Sequence, residues 1–200
     1  MASEDELAPT TTEGYKVGEK KTLAELQQLD QEDERFVAGV FGAFGVVSSL
    51  GIKGGATGPA DDPRRVVPVS LAMEVEGRED VTLDISTPDA ISKLKAQPII
   101  VKEGITYRMK IAFKVQHDVV AGLKYLHVVK RMGVQVDKTE EMIGSYGPQA
   151  APYVKKFLPD DAPKGMAFRG TYEVRSRFID DDKQVHLDFT WFMSIKKDWE

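Results

Sequence analysis

The stretch DDDKQVHLDFTWFMSIKKDW, residues 180–199, decides the fold. It begins as a solvated charge cluster. Val185, Leu187, Phe189, Trp191, Met193 and Ile195 then fall on every second position. A period of two predicts a β-strand over 184–196 with all six side chains on one face. That face is unusually rich in aromatic bulk, and the rest of the chain has to say what it packs against.

Working back from it, the same texture recurs. TYRMKIAFKV, residues 106–115, alternates strictly: Tyr107, Met109, Ile111, Phe113 and Val115 point inward, while Arg108, Lys110 and Lys114 point outward. Further strands are predicted over 66–75, 80–85, 97–104, 120–131 and 170–179, with Gly, Pro and Asp turns between them and little helix. This pattern predicts an all-β fold, an antiparallel β-sandwich. The Gly/Pro/Asp-rich run 51–65 marks a domain boundary. It sets a flexible arm, residues 1–60, apart from a sandwich, residues 61–200.

The arm has its own character. Residues 1–35 hold 10 Asp/Glu against 4 Lys/Arg, a net −6, whereas the rest hold 22 against 23, a net +1. Residues 1–21 read as disordered. Thr22 and Glu25 form a capping box ahead of Leu23, Leu26 and Leu29, which predicts a short helix, and Asp30 can cap a second. Helices this short are marginal in water and need a partner surface. The apolar segment 36–47, FVAGVFGAFGVV, is too short to span a membrane, which takes roughly 20 residues. Its glycines at 39, 42 and 45 weaken it as a helix. It is expected either to fold back as a lid over the sandwich or to face a partner.

The composition excludes several classes. A net charge of −5 argues against non-specific nucleic-acid binding. With no cysteine there is no disulfide framework, thiolate metal site or thiol nucleophile, and with no asparagine there is no glycosylation sequon. The acidic N-terminus lacks the basic start of a signal peptide, so a cytoplasmic location without stable membrane insertion is expected. His117, His127 and His186 lack metal-ligand spacing. No catalytic motif, metal set or cofactor site is evident, so no enzyme is expected. Asp180-Asp181-Asp182 reads as a hairpin turn before a cation site. Phe189 and Trp191 can fill a sandwich core or line a greasy slot between separated sheets, and periodicity does not separate the two.

A resemblance goes further. KKTLAELQQLDQEDE (20–34), VKEGITYRMKIAFKV (101–115), VVAGLKYLHVVKRMGVQVDKTEEMIGSYGP (119–148), DDAPKGMAFRGTYEVRSRFIDDDKQVHLDF (160–189) and IKKDW (195–199) together resemble the Rho GDP-dissociation inhibitors. EVEGREDVTLDIS and VVKRMG resemble the fungal branch. The resemblance implies an immunoglobulin-like sandwich with a partly helical regulatory arm. It implies 1:1 binding, as a monomer, to prenylated, GDP-bound Rho-family GTPases, with the geranylgeranyl tail held between the sheets. It implies a prenyl pocket of Leu71, Met73, Ile99, Tyr107, Val119, Val174, Phe189 and Trp191. The GTPase contacts it implies are Leu26, Leu29, Asp30, Asp33 and Glu34 in the arm, with Asp137, Ser145, Tyr146, Asp181 and Asp182 on the sandwich. Two departures stand out: Phe189 where many members carry Trp, and segment 36–47 in place of an amphipathic helix. A general prenyl or acyl carrier without GTPase inhibition is the alternative.

Overall fold

The computed structural model describes residues 7–9 and 58–200. The expected arm helices, Leu26, Leu29, Asp30, Asp33, Glu34 and segment 36–47 lie outside the described residues. From residue 66 onward, nine strands form two stacked sheets. One sheet holds β1 (Val66–Val75), β2 (Val81–Asp84), β4 (Thr106–Val115) and β7 (Tyr153–Asp161) in the order β2-β1-β4-β7. The other holds β3 (Ile99–Lys102), β5 (Val120–Arg131), β6 (Val134–Tyr146), β8 (Gly170–Ile179) and β9 (Val185–Lys196) in the order β3-β9-β8-β5-β6. The all-β sandwich and seven of its strands follow the alternation in the sequence.

Three details depart from it. The sheets are not wholly antiparallel: β3 runs parallel to β9, from Ile99 opposite Met193 to Lys102 opposite Lys196. The two are not consecutive, since β4 to β8 lie between them in the chain, and the chain reaches β3 from β2 of the other sheet through α1 (Pro88–Leu94). Thr87 caps that helix by accepting the Ala90 amide at 3.2 Å, and Pro88 stands in the first turn, where no N–H is needed. Strands β6 and β7 are also additional. Both are edge strands, and both carry the charge (and in β7 the proline) that edges use against stray pairing.

The third departure is Val185. It does not continue the inner face of β9 but is 46% exposed. Phe178 pairs with Leu187 and Ile179 with Val185, so His186 is an extra residue in the ladder. A bulge of one residue reverses the facing of everything beyond it.

The principal core lies between the sheets. Leu71, Leu83, Ile111 and Phe113 from one sheet meet Leu123, Tyr125, Val174, Phe178, Phe189 and Trp191 from the other. A second cluster of Met73, Val75, Val101 and Ala162 closes one end. A third, Leu7 with Leu126, Val128 and Ile179, is separate from both.

Candidate functional site

Inside the sandwich, β1, β8 and β9 present Leu71, Val174, Phe189 and Trp191 to one shared cluster. All are buried; Trp191 is 3% exposed. Met73 belongs to the end cluster, and Ile99 packs against both clusters. Tyr107 packs against the end cluster from the far end of β4. Val119 stands apart. It lies in the β4–β5 connection, about 25 Å of strand away from Tyr107, and its carbonyl accepts Arg65 Nη1 at 3.3 Å. The eight expected pocket residues thus reach from one end of the sandwich to the other, with four of them at its centre.

Polarity enters that centre at one point, Ser176, which is wholly buried. Trp191 Nε1 donates to Ser176 Oγ at 3.0 Å, and the Tyr125 hydroxyl shares a hydrogen bond with the same Oγ at 2.8 Å. Three strands, β5, β8 and β9, meet at that one oxygen. A buried indole N–H or phenol is costly unless it finds such a partner. Burial also pushes the Tyr125 phenol up, and the Ser176 hydrogen bond only partly opposes it, so it stays protonated. Ser176 was visible in the sequence as the one polar residue in the inward set Tyr172, Val174, Ser176 and Phe178, but alternation alone gives it no partner.

A charged cluster stands at each end. At the first, the start of β5, the end of β6 and the β8–β9 turn are tied together. Gly122 N donates to Ser145 Oγ at 3.0 Å, and Asp181 N donates to the Ala121 carbonyl at 3.1 Å. Gly122 has φ +58°, and a Cβ there would run into the Asp181 carboxylate. Only glycine satisfies both demands, which gives the GLKY motif its physical reason. Tyr146 stands edge-on to Phe113, ring centroids 5.0 Å apart. Asp180 accepts from His186 Nε2 at 2.9 Å and from the Gln184 amide at 2.9 Å, and Arg65 reaches Asp180 at 3.8 Å and Asp182 at 3.7 Å. Burial alone would raise the Asp180 carboxyl, but His186, the Gln184 amide and Arg65 outweigh it and hold it below the usual range. The acid run is therefore a hairpin turn braced by Arg65. Ser145, Tyr146, Asp181 and Asp182 share this end.

Asp137 is at the other end, on β6 opposite Val129 of β5. His127 Nε2 lies 3.7 Å from Asp137 Oδ2, and His127 Nδ1 is buried without a hydrogen-bond partner. Tyr107 donates to Asp160 Oδ2 at 3.0 Å, and its phenol is pushed up by burial and then by the Asp160 charge. For His127, burial outweighs the carboxylates Asp137 and Asp160 and lowers its pKa, so the ring is neutral at pH 7.

That has a consequence for stability. In the unfolded chain His127 titrates near 6.5 (roughly the free value). As pH falls through that value the unfolded state takes up a proton that the folded state refuses, so stability declines with acidification. For one proton the slope is at most about 1.4 kcal/mol per pH unit. Urea unfolding between pH 7.5 and 5 is expected to show this decline, and His127→Gln is expected to flatten it. An unchanged slope in the variant would assign the effect to other groups.

Among the described residues no group of three or more His, Cys, Asp or Glu is placed to hold a metal ion, and no helix is long and apolar enough to cross a membrane. Fold and site define a β-sandwich with an apolar interior between two sheets and a charged cluster at each end. Its relatives give the family. The model of the RHO protein GDP dissociation inhibitors matches residues 1–198. A Rho GDP-dissociation inhibitor of Schizosaccharomyces pombe is 40% identical over 92% of this chain and 86% of its own. Rho GDP-dissociation inhibitor 1 of Homo sapiens is 35% identical over 93% and 87%. A putative rho GDP-dissociation inhibitor 1 of Dictyostelium discoideum is 33% identical over 93% and 92%. The chain belongs to the Rho GDP-dissociation inhibitor family, whose members are regulatory inhibitors rather than enzymes.

Proposed function

We propose that this chain binds a prenylated Rho-family GTPase one to one in its GDP-bound form, holds the geranylgeranyl group between its two sheets, and keeps the complex in the cytoplasm. The observation that carries the reading is the family match over nearly the whole chain, arm included. The apolar cluster around Leu71, Val174, Phe189 and Trp191 supports the choice of ligand site. Met73, Ile99 and Tyr107 extend it toward one end. Ser145, Tyr146, Asp181 and Asp182 at one end, and Asp137 at the other, are the sandwich's contacts with the GTPase. The arm, through Leu26, Leu29, Asp30, Asp33 and Glu34, docks on the switch loops.

The energetics explain why one protein carries both parts. Burying a lipid chain gains about 0.8 kcal/mol per CH₂, so the sandwich interior and a bilayer offer a prenyl group similar shelter. Contacts with the GTPase itself must tip the balance. Contacts made on the switch loops, which hold the nucleotide and its Mg²⁺, also block GDP release. The test is GDP release from a geranylgeranylated Rho GTPase on vesicles. Added chain is expected to slow release and to move the GTPase into the supernatant. Extraction without slowed release would instead identify a prenyl carrier.

A further inference from the structure

Residues 7–9 are fixed on the outer face of the five-stranded sheet, the side away from the interior. The outward positions of β5 are Leu126, opposite Arg177 of β8, and Val128, opposite Arg175. With Ile179 they form an apolar patch where a solvent-facing surface would be expected to be polar. Yet Leu126 is 0%, Val128 1% and Ile179 4% exposed. What covers them is Leu7, itself 0% exposed and a member of the same cluster. Its backbone is held as well: Arg177 Nη1 donates to the Leu7 carbonyl at 3.2 Å, and Lys138 Nζ lies 3.5 Å from the Ala8 carbonyl. Arg177 is itself aimed by Asp188, which accepts from Nε at 2.8 Å and from Nη2 at 2.6 Å.

We propose that this patch is a peptide-binding site whose occupant is the chain's own N-terminus. Leu126, Val128 and Ile179 form the floor, Leu7 is the apolar anchor, and Arg177 and Lys138 are the cations that hold the peptide carbonyls. Several features fit a docked segment. The anchor is one large apolar residue, with acidic Glu6 before it and small Ala8 after it in sequence. Pro9 comes two residues after it and disfavours helical backbone at Ala8, so the segment does not continue as a helix beyond the anchor. Glu4, Asp5 and Glu6 come immediately before it in sequence. The site tolerates no charge at the anchor, because a carboxylate there would be buried on an apolar floor.

The seat lies on the outer face of the five-stranded sheet, apart from the interior cluster, and does not depend on the GTPase reading.

The test uses the whole chain without a partner. The protein has no cysteine, so Ser3→Cys gives a single site for a nitroxide label. Methyl NMR is expected to show strong paramagnetic broadening at Leu126, Val128 and Ile179, and little at Leu71 and Leu83 of the opposite sheet. Leu7→Asp is expected to lower the docked population by roughly tenfold or more, since burying a leucine is worth at least that factor, and the broadening should fall with it. Leu7→Ala removes the anchor without adding charge and should act in the same direction. Methyl signals of Leu123 and Val174 should keep their positions in both variants. Broadening that survives Leu7→Asp, or that spreads evenly over both sheets in the unmodified chain, overturns the proposal. Loss of the Leu123 and Val174 pattern in both variants does so too, because Leu7 would then be part of the fold itself and not a docked ligand.

Discussion

Trp191→Ala is expected to lower the free energy of unfolding by about 3–5 kcal/mol. A domain has only about 5–15 kcal/mol in total, so the variant should unfold at a much lower denaturant midpoint with a similar slope. The reason lies in the geometry. The indole is buried in the principal cluster, opposite Val174 in the β8–β9 ladder, and its N–H is bound by Ser176. Truncation leaves a large void in a close-packed interior, and two strand-borne walls have little freedom to collapse into it. Trp191→Phe separates the contributions: it keeps most of the apolar area, gives up the N–H and leaves the Tyr125–Ser176 hydrogen bond in place. Its cost should be well below that of alanine. A loss under about 1 kcal/mol for Trp191→Ala would contradict a packed indole. If the proposed ligand site is right, Trp191→Phe, still folded, should change affinity for a geranylgeranylated peptide, because the side chain is then wall as well as core.

The second large effect concerns the arm. A chain lacking residues 1–60 is expected to retain most of its affinity for a geranylgeranylated peptide. It is also expected to leave GDP release at the rate of the GTPase alone. Extraction from vesicles should fall by at least tenfold, equivalent to about 1.4 kcal/mol of lost preference over the membrane. A segment that orders on its partner contributes its contacts at that step and bears its ordering entropy there too. Undiminished inhibition by the truncated chain would place the inhibitory surface on the sandwich and end the arm's assigned role. A parallel measurement on Leu7→Asp would separate loss of the arm from loss of its anchor.

The sequence made the sheets legible because side-chain alternation and burial coincide wherever a strand has one wet and one dry face. Strand β4 was read to the residue, and β9 from Leu187 onward. What escaped has one physical cause in each case. Strands β6 and β7 lie at sheet edges, where charge and proline suppress the apolar rhythm. Val185 was misassigned because a bulge is set by what His186 binds, not by local composition. The parallel placement of β3 depends on pairing with β9, the last strand of the chain, which no local period reports. For the site, the resemblance supplied residue names, and the fold supplied their grouping. The ties of Ser176 and Gly122 and the seat of Leu7 depend on partners 15 to 170 positions away along the chain, a separation that no window-based reading spans.

The hydroxyl of Ser176 also says how the two walls would share a load. Its hydrogen bonds join β5, β8 and β9, three neighbours within one sheet, and they are directional. A sheet pinned in this way resists bending across its strands. Between the sheets, the contacts named above are apolar and aromatic side chains, such as Tyr125 stacked on Phe157 with ring centroids 5.6 Å apart. Dispersion has no preferred direction and can be remade after a small slip. The five-stranded wall is thus the stiff member and the seam between the sheets is the compliant one. A guest wedged between them would part the walls along that seam before it warped the five-stranded one, much as a book opens at the gutter while its boards stay flat.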